Sequence, residues 1–185
     1  MLFEFEGKRP SVGSDSYVSE TAIVLGDVFI GDRCYIGHGA ILRGDYGRIL
    51  IEDDVVIEEG VIVHAPPGEV CYIKRGTIVG HGAIVHASLL EEEVLVGMGA
   101  VLSLRSEVGR GSLIGEGTVV RQRERLGAGG VFIGSPPRRI RDVREEERQY
   151  FSWVRELYQS LAKRYIRNPI RPLELEECLR KNDQG

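Results

Sequence analysis

The sequence predicts an all-β solenoid, a parallel β-helix of hexapeptide repeats, followed by a C-terminal α-helix. Two observations predict this class: aliphatic residues recur every six positions over most of the chain, and the next residue is often glycine. Amphipathic helices repeat about every 3.6 residues and half-buried strands about every two, so a sustained period of six is typical of neither. It is typical of a hexapeptide solenoid, in which each aliphatic side chain points inward and glycine allows the turn between faces.

The repeat predicts the size of the solenoid. It is interrupted by a three-residue insertion at 46–48 and by a loop at 65–72. The aliphatic positions are Val12, Val18, Val24, Ile30, Ile36, Leu42, Ile51, Ile57, Val63, Ile73, Val79, Val85, Leu90, Val96, Leu102, Val108, Ile114 and Val120. Three hexapeptides make one triangular coil, so these eighteen positions predict about six coils, stacked roughly 4.8 Å apart like neighbouring strands of a sheet.

The pattern changes after Val120. A basic, glycine-rich segment is followed by a turn that ends in two prolines, and Asp142 with Glu145 predicts a capping box at a helix start. An apolar stripe at helical spacing then predicts a helix that covers the flank of its own solenoid or of a neighbouring one. The stripe consists of Phe151, Val154, Leu157, Tyr158, Leu161, Tyr165 and Ile166.

The chain is therefore divided into two parts. Residues 1–130 are predicted to form the β-helix domain, and residues 131–185 the turn, the packing helix and a tail. Asn168-Pro169 ends the helix, and the stretch from Glu174 to Lys181 is predicted to be a final helical turn with a frayed end.

Composition narrows the class of protein. The net charge of −4 gives no general attraction to nucleic acid, and no 18-residue apolar run predicts a membrane span. The N-terminal segment is acidic where a secretory signal is basic, so we expect a cytoplasmic protein.

Cys34, Cys71 and Cys178 are odd in number and widely spaced, which matches neither a disulfide framework nor a metal knuckle. We expect most of them to be small buried side chains.

Three of the four histidines follow the repeat. His64 comes directly after Val63 and His86 directly after Val85, and these two aliphatic positions are three repeats apart. Because a coil has three sides, both histidines should point outward from the same side on adjacent coils. The two histidines should then be about one coil spacing apart, a distance that two zinc–nitrogen bonds of about 2.0–2.1 Å each can bridge.

His81 follows Val79 by two places and should lie one side earlier on the coil. A threefold axis would bring it to the other two histidines of a neighbouring subunit. The spacing therefore predicts a homotrimer with three intersubunit metal sites, each with two histidines from one chain and one from the next. Three imidazoles and an open fourth position are typical of catalytic zinc, although iron and cobalt also accept them. We expect His38 to be a solvated or interface residue.

Charged residues are predicted to converge on the same region. Arg43 should lie directly beneath His64, and Glu58, with Glu59 alongside, beneath the region of His81. Asp45 follows in the insertion, so we expect Arg43 to pair with Glu59 or Asp45. These four are the candidate catalytic residues; the alternative is that they serve only trimer assembly.

With these residues in place, the chain resembles the γ-class carbonic anhydrase-like family of trimeric left-handed β-helix proteins, from about Val12 through the C-terminal helix. The resemblance rests on the blocks at 26–31, 42–45, 61–64, 79–86, 96–100 and 133–136. It implies a left-handed solenoid and metal ligation by His64, His81 and His86. It also implies that Arg43 forms an intersubunit ion pair and binds bicarbonate.

The chain departs from the family pattern at four positions. Glu58-Glu59 replaces a Gln-Asp pair: Glu59 keeps the carboxylate for Arg43, whereas Glu58 replaces an amide near the metal-bound water. A carboxylate there should raise the pKa of that water and is itself able to ligate the metal. Tyr46 and Pro67 stand where active members carry proton-shuttling glutamates.

The leading hypothesis is a carbonic anhydrase-like lyase that reversibly hydrates carbon dioxide to bicarbonate with a metal-bound hydroxide. Arg43 would steer the anion and Glu58 would orient the hydroxide. One alternative is an acyl-CoA-dependent acyltransferase, in which one histidine acts as general base. The other is a non-catalytic metal-binding trimer, acting as an assembly subunit or resembling siderophore-binding proteins.

Overall fold

The computed structural model describes residues 1–174, which form a parallel β-solenoid with one long helix along it. In chain order the elements are β1 (Leu2–Phe3), β2 (Ser11–Val12), β3 (Tyr17–Val18), β4 (Ile23–Ile30), β5 (Tyr35–Ile36), β6 (Ile41–Ile51), β7 (Val56–Ile57), β8 (Ile62–His64), β9 (Val70–Ile73), β10 (Ile78–Val79), β11 (Ile84–His86), β12 (Leu89–Leu90), β13 (Leu95–Val96), β14 (Val101–Leu102), β15 (Glu107–Val108), β16 (Leu113–Ile114), β17 (Val119–Val120), β18 (Arg125–Leu126), β19 (Gly130–Ile133), β20 (Arg138–Asp142) and α1 (Glu145–Arg167).

The strands form three faces. The helix face consists of β3, β5, β7, β10, β13, β16 and β19. The histidine face consists of β1, the first parts of β4 and β6, and β8, β11, β14 and β17; the loop face consists of β2, the second parts of β4 and β6, and β9, β12, β15 and β18. Each strand of these faces pairs in parallel with strands on the adjacent coils, so residues at equivalent positions stack along the solenoid. Strand β20 pairs antiparallel with β19 at the end of the helix face.

The core fills the space enclosed by the three faces. Aliphatic residues of the six-residue repeat point inward, and Ile57, Ile73 and Leu102 are fully buried. Val12 and Val18 at the open end are partly buried against the same cluster. The predicted inward orientation of the repeat is confirmed.

The solenoid extends two repeat positions beyond the eighteen counted, into a seventh coil. Leu126 and Phe132 keep the six-residue spacing after Val120 and are both buried in the core. The basic, glycine-rich composition around them hides this continuation in the sequence. The helix face accordingly has seven parallel strands. The division at residue 130 stays a prediction, and the last parallel strand, Gly130–Ile133, crosses it.

Helix α1 packs on the helix face of its own solenoid. Its stripe contacts a buried cluster that includes Tyr17, Tyr35 and Ile78, whereas Leu157 and Ile166 are about half exposed. The predicted cap at Asp142 is wrong, because Asp142 ends β20 and pairs with Arg139.

The helix instead begins at Glu145, with Arg144 as its N-cap. The carboxylate of Glu147 accepts a hydrogen bond from the backbone N–H of Arg144 at 2.9 Å, which satisfies one of the free donors at the helix start.

Cys34 and Cys71 are buried, as predicted. Cys178 and the helical turn predicted up to Lys181 lie outside the described residues. Between residues 1 and 174, no helix is long and apolar enough to cross a membrane.

Close contact between coils should make some glycines irreplaceable. A Cβ on Gly97 would lie 2.6 Å from the backbone nitrogen of Glu116, whereas a Cβ on Gly127, at the equivalent repeat position, would meet only a side-chain atom of Arg139, at 3.7 Å. We expect Gly97→Ala to destabilise the protein by about 1–3 kcal/mol through overpacking, and Gly127→Ala to have little effect. Chemical denaturation at one protein concentration measures both; equal losses would contradict this account of the coil contacts.

Candidate functional site

His64 and His86 lie on adjacent coils of the histidine face. Strands β8 and β11 pair in register, which places the two histidines side by side. Their rings are stacked, with centroids 5.1 Å apart and planes inclined by 11°. The structure therefore brings together the two histidines that the repeat placed on one face.

The environment of His64 suits a metal ligand. Its Nε2 is buried and has no hydrogen-bond partner, and the nearest carboxylate oxygen, Oδ1 of Asp45, is 3.9 Å away. Burial lowers the pKa of His64 below its ordinary value, and the charge of Arg43 and the neighbouring His86 lower it further. A neutral imidazole with an unused buried nitrogen is the form that binds a metal ion.

His81 lies at the corner between the helix face and the histidine face. It occupies the turn between β10 and β11, where Gly82 at φ +66° allows the chain to turn sharply. Its side chain is 46% exposed and faces two carboxylates. Nε2 is 3.1 Å from Oε2 of Glu58, and Nδ1 is 2.9 Å from Oε2 of Glu59. Glu58 and Glu59 are thus beside His81, where the register placed them.

The three histidines do not converge within one subunit. In residues 1–174, no three His, Cys, Asp or Glu side chains form a group that could hold a metal ion. The three-histidine site therefore stays a prediction, and the position of His81 on a separate corner means that it requires a second subunit.

Arg43 pairs with Asp45 within the chain. Its Nη1 donates to both carboxylate oxygens, at 2.8 and 3.2 Å. Burial acts to raise the pKa of Asp45, but Arg43 and the backbone N–H of Tyr46 outweigh it and hold that pKa below its usual value. Of the two partners considered for Arg43, the single chain supplies Asp45, which lies two residues along the same strand, whereas Glu59 lies at the corner with His81. The intersubunit ion pair stays a prediction.

Two tyrosines behind the carboxylates were missed by the sequence reasoning. The fully buried Tyr35 donates its phenol O–H to Oε1 of Glu59 at 2.7 Å, and Tyr158 of α1 lies beside Glu58 on the lining of a cleft. Burial raises the pKa of both phenols, so both remain donors. The available signal was the spacing of Tyr17 and Tyr35, which places both on the outer side of the helix face, one coil apart.

Glu58 is itself buried, with 7% of its surface exposed. Burial raises the pKa of its carboxyl, although the charge of His81 and the hydrogen bond from the His81 backbone N–H act in the opposite direction. The carboxylate at this position is therefore costly to ionise, which an amide would not be.

An apolar cleft adjoins His81 and Glu58. It has a volume of about 390 Å³ and lies between the corner and helix α1. Its apolar lining includes Met98, Trp153 and Leu157, each about half exposed.

The loop that follows His64 has Pro67 where the resemblance implies a proton-shuttling glutamate, and the nearby carboxylate of Glu69 is not free. Glu69 is held by the guanidinium of Arg105, which lowers the pKa of that carboxyl. Tyr46, in the insertion, is 65% exposed.

Comparison with known proteins gives a consistent set of relatives, although no family model matches the chain. It is 31% identical over 186 residues to the carnitine operon protein CaiE of Proteus sp. (strain LE138), covering 100% of this chain and 94% of the relative. It is 32% identical over 183 residues to the mitochondrial gamma carbonic anhydrase 1 of Arabidopsis thaliana, covering 94% of this chain and 66% of the relative.

A solved structure shows the same fold. The crystal structure of a hexapeptide transferase family protein from Anaplasma phagocytophilum superimposes with a TM-score of 0.84 at 30% identity, covering 89% of this chain and 97% of that one. The predicted class, a left-handed β-helix of hexapeptide repeats with a C-terminal helix, is confirmed.

Proposed function

Because the chain belongs to the γ-carbonic anhydrase-like family of hexapeptide-repeat proteins, we propose that it is a metal-dependent lyase that interconverts carbon dioxide and bicarbonate. The observation that carries the proposal is the stacked pair of His64 and His86 with the unpartnered Nε2 of His64. A buried polar atom without a partner is costly unless a ligand satisfies it.

An apolar row on the histidine face supports the homotrimer. Its members face outward at the same position of six successive coils, and they are in register: Ile23, Ile41, Ile62, Ile84, Val101 and Val119. Ile23, Ile62 and Ile84 are 37–39% exposed in the single chain. A contiguous exposed row of this kind marks a protein interface. Since β8 and β11 carry both the row and the histidine pair, a subunit that covers the row also reaches the pair.

The metal would be held by His64 and His86 of one subunit and by the His81 corner of the next. Three imidazoles suit zinc, and iron or cobalt would also be accepted. When bound, such a metal supplies a water of lowered pKa as the nucleophile for carbon dioxide.

The neighbouring residues have distinct roles in this proposal. Arg43, fixed by Asp45, places a positive charge beside His64 and attracts the bicarbonate anion. Glu59 holds the ring of His81 through Nδ1. Glu58 orients the nucleophile, but its negative charge also opposes an anionic nucleophile and an anionic product.

Acyl transfer is the second candidate function. The cleft of about 390 Å³ beside His81 is far larger than carbon dioxide needs, and its apolar lining suits an acyl group. His81 beside Glu58 would then act as general base. The similar fold of a hexapeptide transferase family protein is in line with this reading.

Metal analysis of anaerobically purified protein, coupled to a hydration assay, tests the proposed function. We expect wild-type protein to carry zinc, iron or cobalt and to hydrate carbon dioxide. His86→Ala should lose the metal and more than about 100-fold of kcat/KM, because removing a ligand costs more than removing an outer-shell partner. His38→Ala is the matched control, since the ring of His38 bonds to Ser19 instead.

Other outcomes select the alternatives. Bound metal without hydration under any metal would favour the non-catalytic trimer. Protein without metal that transfers acetyl from acetyl-CoA would favour the acyltransferase. Equal hydration by wild type and His86→Ala would exclude the proposed site.

Ile84→Arg tests the interface. Placing a charge in the middle of the apolar row should convert a trimer into monomers, because the charge would be buried unpaired. Ile140→Arg is the control: Ile140 is 52% exposed but lies on β20, away from the histidine face. Analytical ultracentrifugation measures the mass; a trimeric Ile84→Arg protein would contradict the interface.

Glu58→Gln tests the cost of the extra carboxylate. Removing a negative charge beside His81 should lower the pKa of the proposed metal-bound water by roughly one unit. The rate of hydration at neutral pH should therefore rise about tenfold. Glu107→Gln, on the loop face where Glu107 pairs with Arg125, should change nothing. A Glu58→Gln protein slower than wild type would indicate that the carboxyl takes part in the reaction.

A further inference from the structure

An aromatic column lies in the seam between the helix face and α1. The ring of Tyr35 is 5.6 Å from Tyr17 on the coil below and 4.9 Å from Tyr158 on the helix, and Tyr17 stacks on Tyr165 at 4.9 Å. Tyr35 is 1% exposed, so its ring is held from both sides. Packing therefore fixes the position of its hydroxyl.

That hydroxyl is the first group in a series of hydrogen bonds that leads to His81. Tyr35 donates to Oε1 of Glu59, and Oε2 of the same carboxylate lies 2.9 Å from Nδ1 of His81. Both oxygens of Glu59 are thus engaged, one by a buried phenol and one by the imidazole. A carboxylate held at both oxygens cannot rotate freely, whereas one held at a single oxygen can.

We propose that Tyr35 is a positioning residue that sets the orientation and tautomer of His81 through Glu59. The inference rests on the proposed function, in which His81 is the ligand supplied to the neighbouring subunit. Glu59 at Nδ1 and Glu58 at Nε2, 2.9 and 3.1 Å away, compete for the proton of a neutral ring. The shorter contact, to the anchored carboxylate of Glu59, favours the proton on Nδ1 and leaves the lone pair on Nε2. In metal sites, such a partner fixes the ring and raises the basicity of the ligand.

The geometry explains why a second anchor matters at this position. The side chain of His81 is 46% exposed and that of Glu59 is 34% exposed, so water competes for their contact. Tyr35 is the buried member of the series formed by Tyr35, Glu59 and His81, so its hydrogen bond restrains two partly exposed side chains at the corner. Because α1 packs on the ring of Tyr35, docking of the helix supports the same histidine.

Tyr35→Phe removes only the hydroxyl and tests the proposal. Tyr17→Phe is the matched control: Tyr17 belongs to the same column and donates to a carboxylate, Glu20, at 3.1 Å, but that carboxylate is not among the groups that face His81. Two readouts are measured on full-length protein. One is the Nδ1–H resonance of His81 in metal-free protein by long-range ¹H–¹⁵N NMR, and the other is zinc affinity by chelator competition.

In wild type and Tyr17→Phe we expect a downfield, slowly exchanging Nδ1–H. In Tyr35→Phe it should move upfield and exchange faster, and zinc should bind about tenfold more weakly, the lower end of the loss for an outer-shell partner. Thermal unfolding of both variants measures any general loss of stability, which should be similar in the two proteins.

An unchanged resonance, or zinc affinity equal in Tyr35→Phe and Tyr17→Phe, would overturn the role of Tyr35. If the wild-type protein takes up no zinc, the proposed function fails, and the His81 resonance alone then decides whether Tyr35 positions the ring.

Discussion

The inward packing of one aliphatic residue in every six is the constraint on which the rest of the structure depends. It holds each coil in register with the next, so an outward residue stands directly above its equivalent one coil below. Side chains from successive coils can therefore form a column on one face. The pair of His64 and His86, with Arg43 beneath, is such a column. So is the apolar row that runs through the same strands.

The corner between the helix face and the histidine face joins packing to chemistry. His81, Glu58 and Glu59 lie on it; Glu59 is held from behind by Tyr35, and Tyr158 of the helix lies beside Glu58. Helix α1 therefore does more than cover an apolar flank, since its aromatic contacts support the groups that face His81. The same helix also forms one wall of the apolar cleft.

Glu58 distinguishes this chain from the family pattern. A carboxyl that is mostly buried beside a histidine is costly to ionise, and in the single chain it occupies the Nε2 side of His81. The proposed histidine site therefore has a carboxyl beside it where the resemblance implies an amide. The adjoining cleft adds space that carbon dioxide does not require. Both features bear on the reaction and leave the fold unchanged.

The sequence by itself determined the solenoid, the face shared by His64 and His86, and the separate position of His81. These follow from periodicity, because a six-residue repeat converts chain position directly into face and coil. Only the tertiary structure decided the partner of Arg43, the support of Glu59 by Tyr35, and the seventh coil. Side-chain rotamers and the docking of a helix have no period along the chain. They depend on which groups compete for the same space and the same hydrogen bonds.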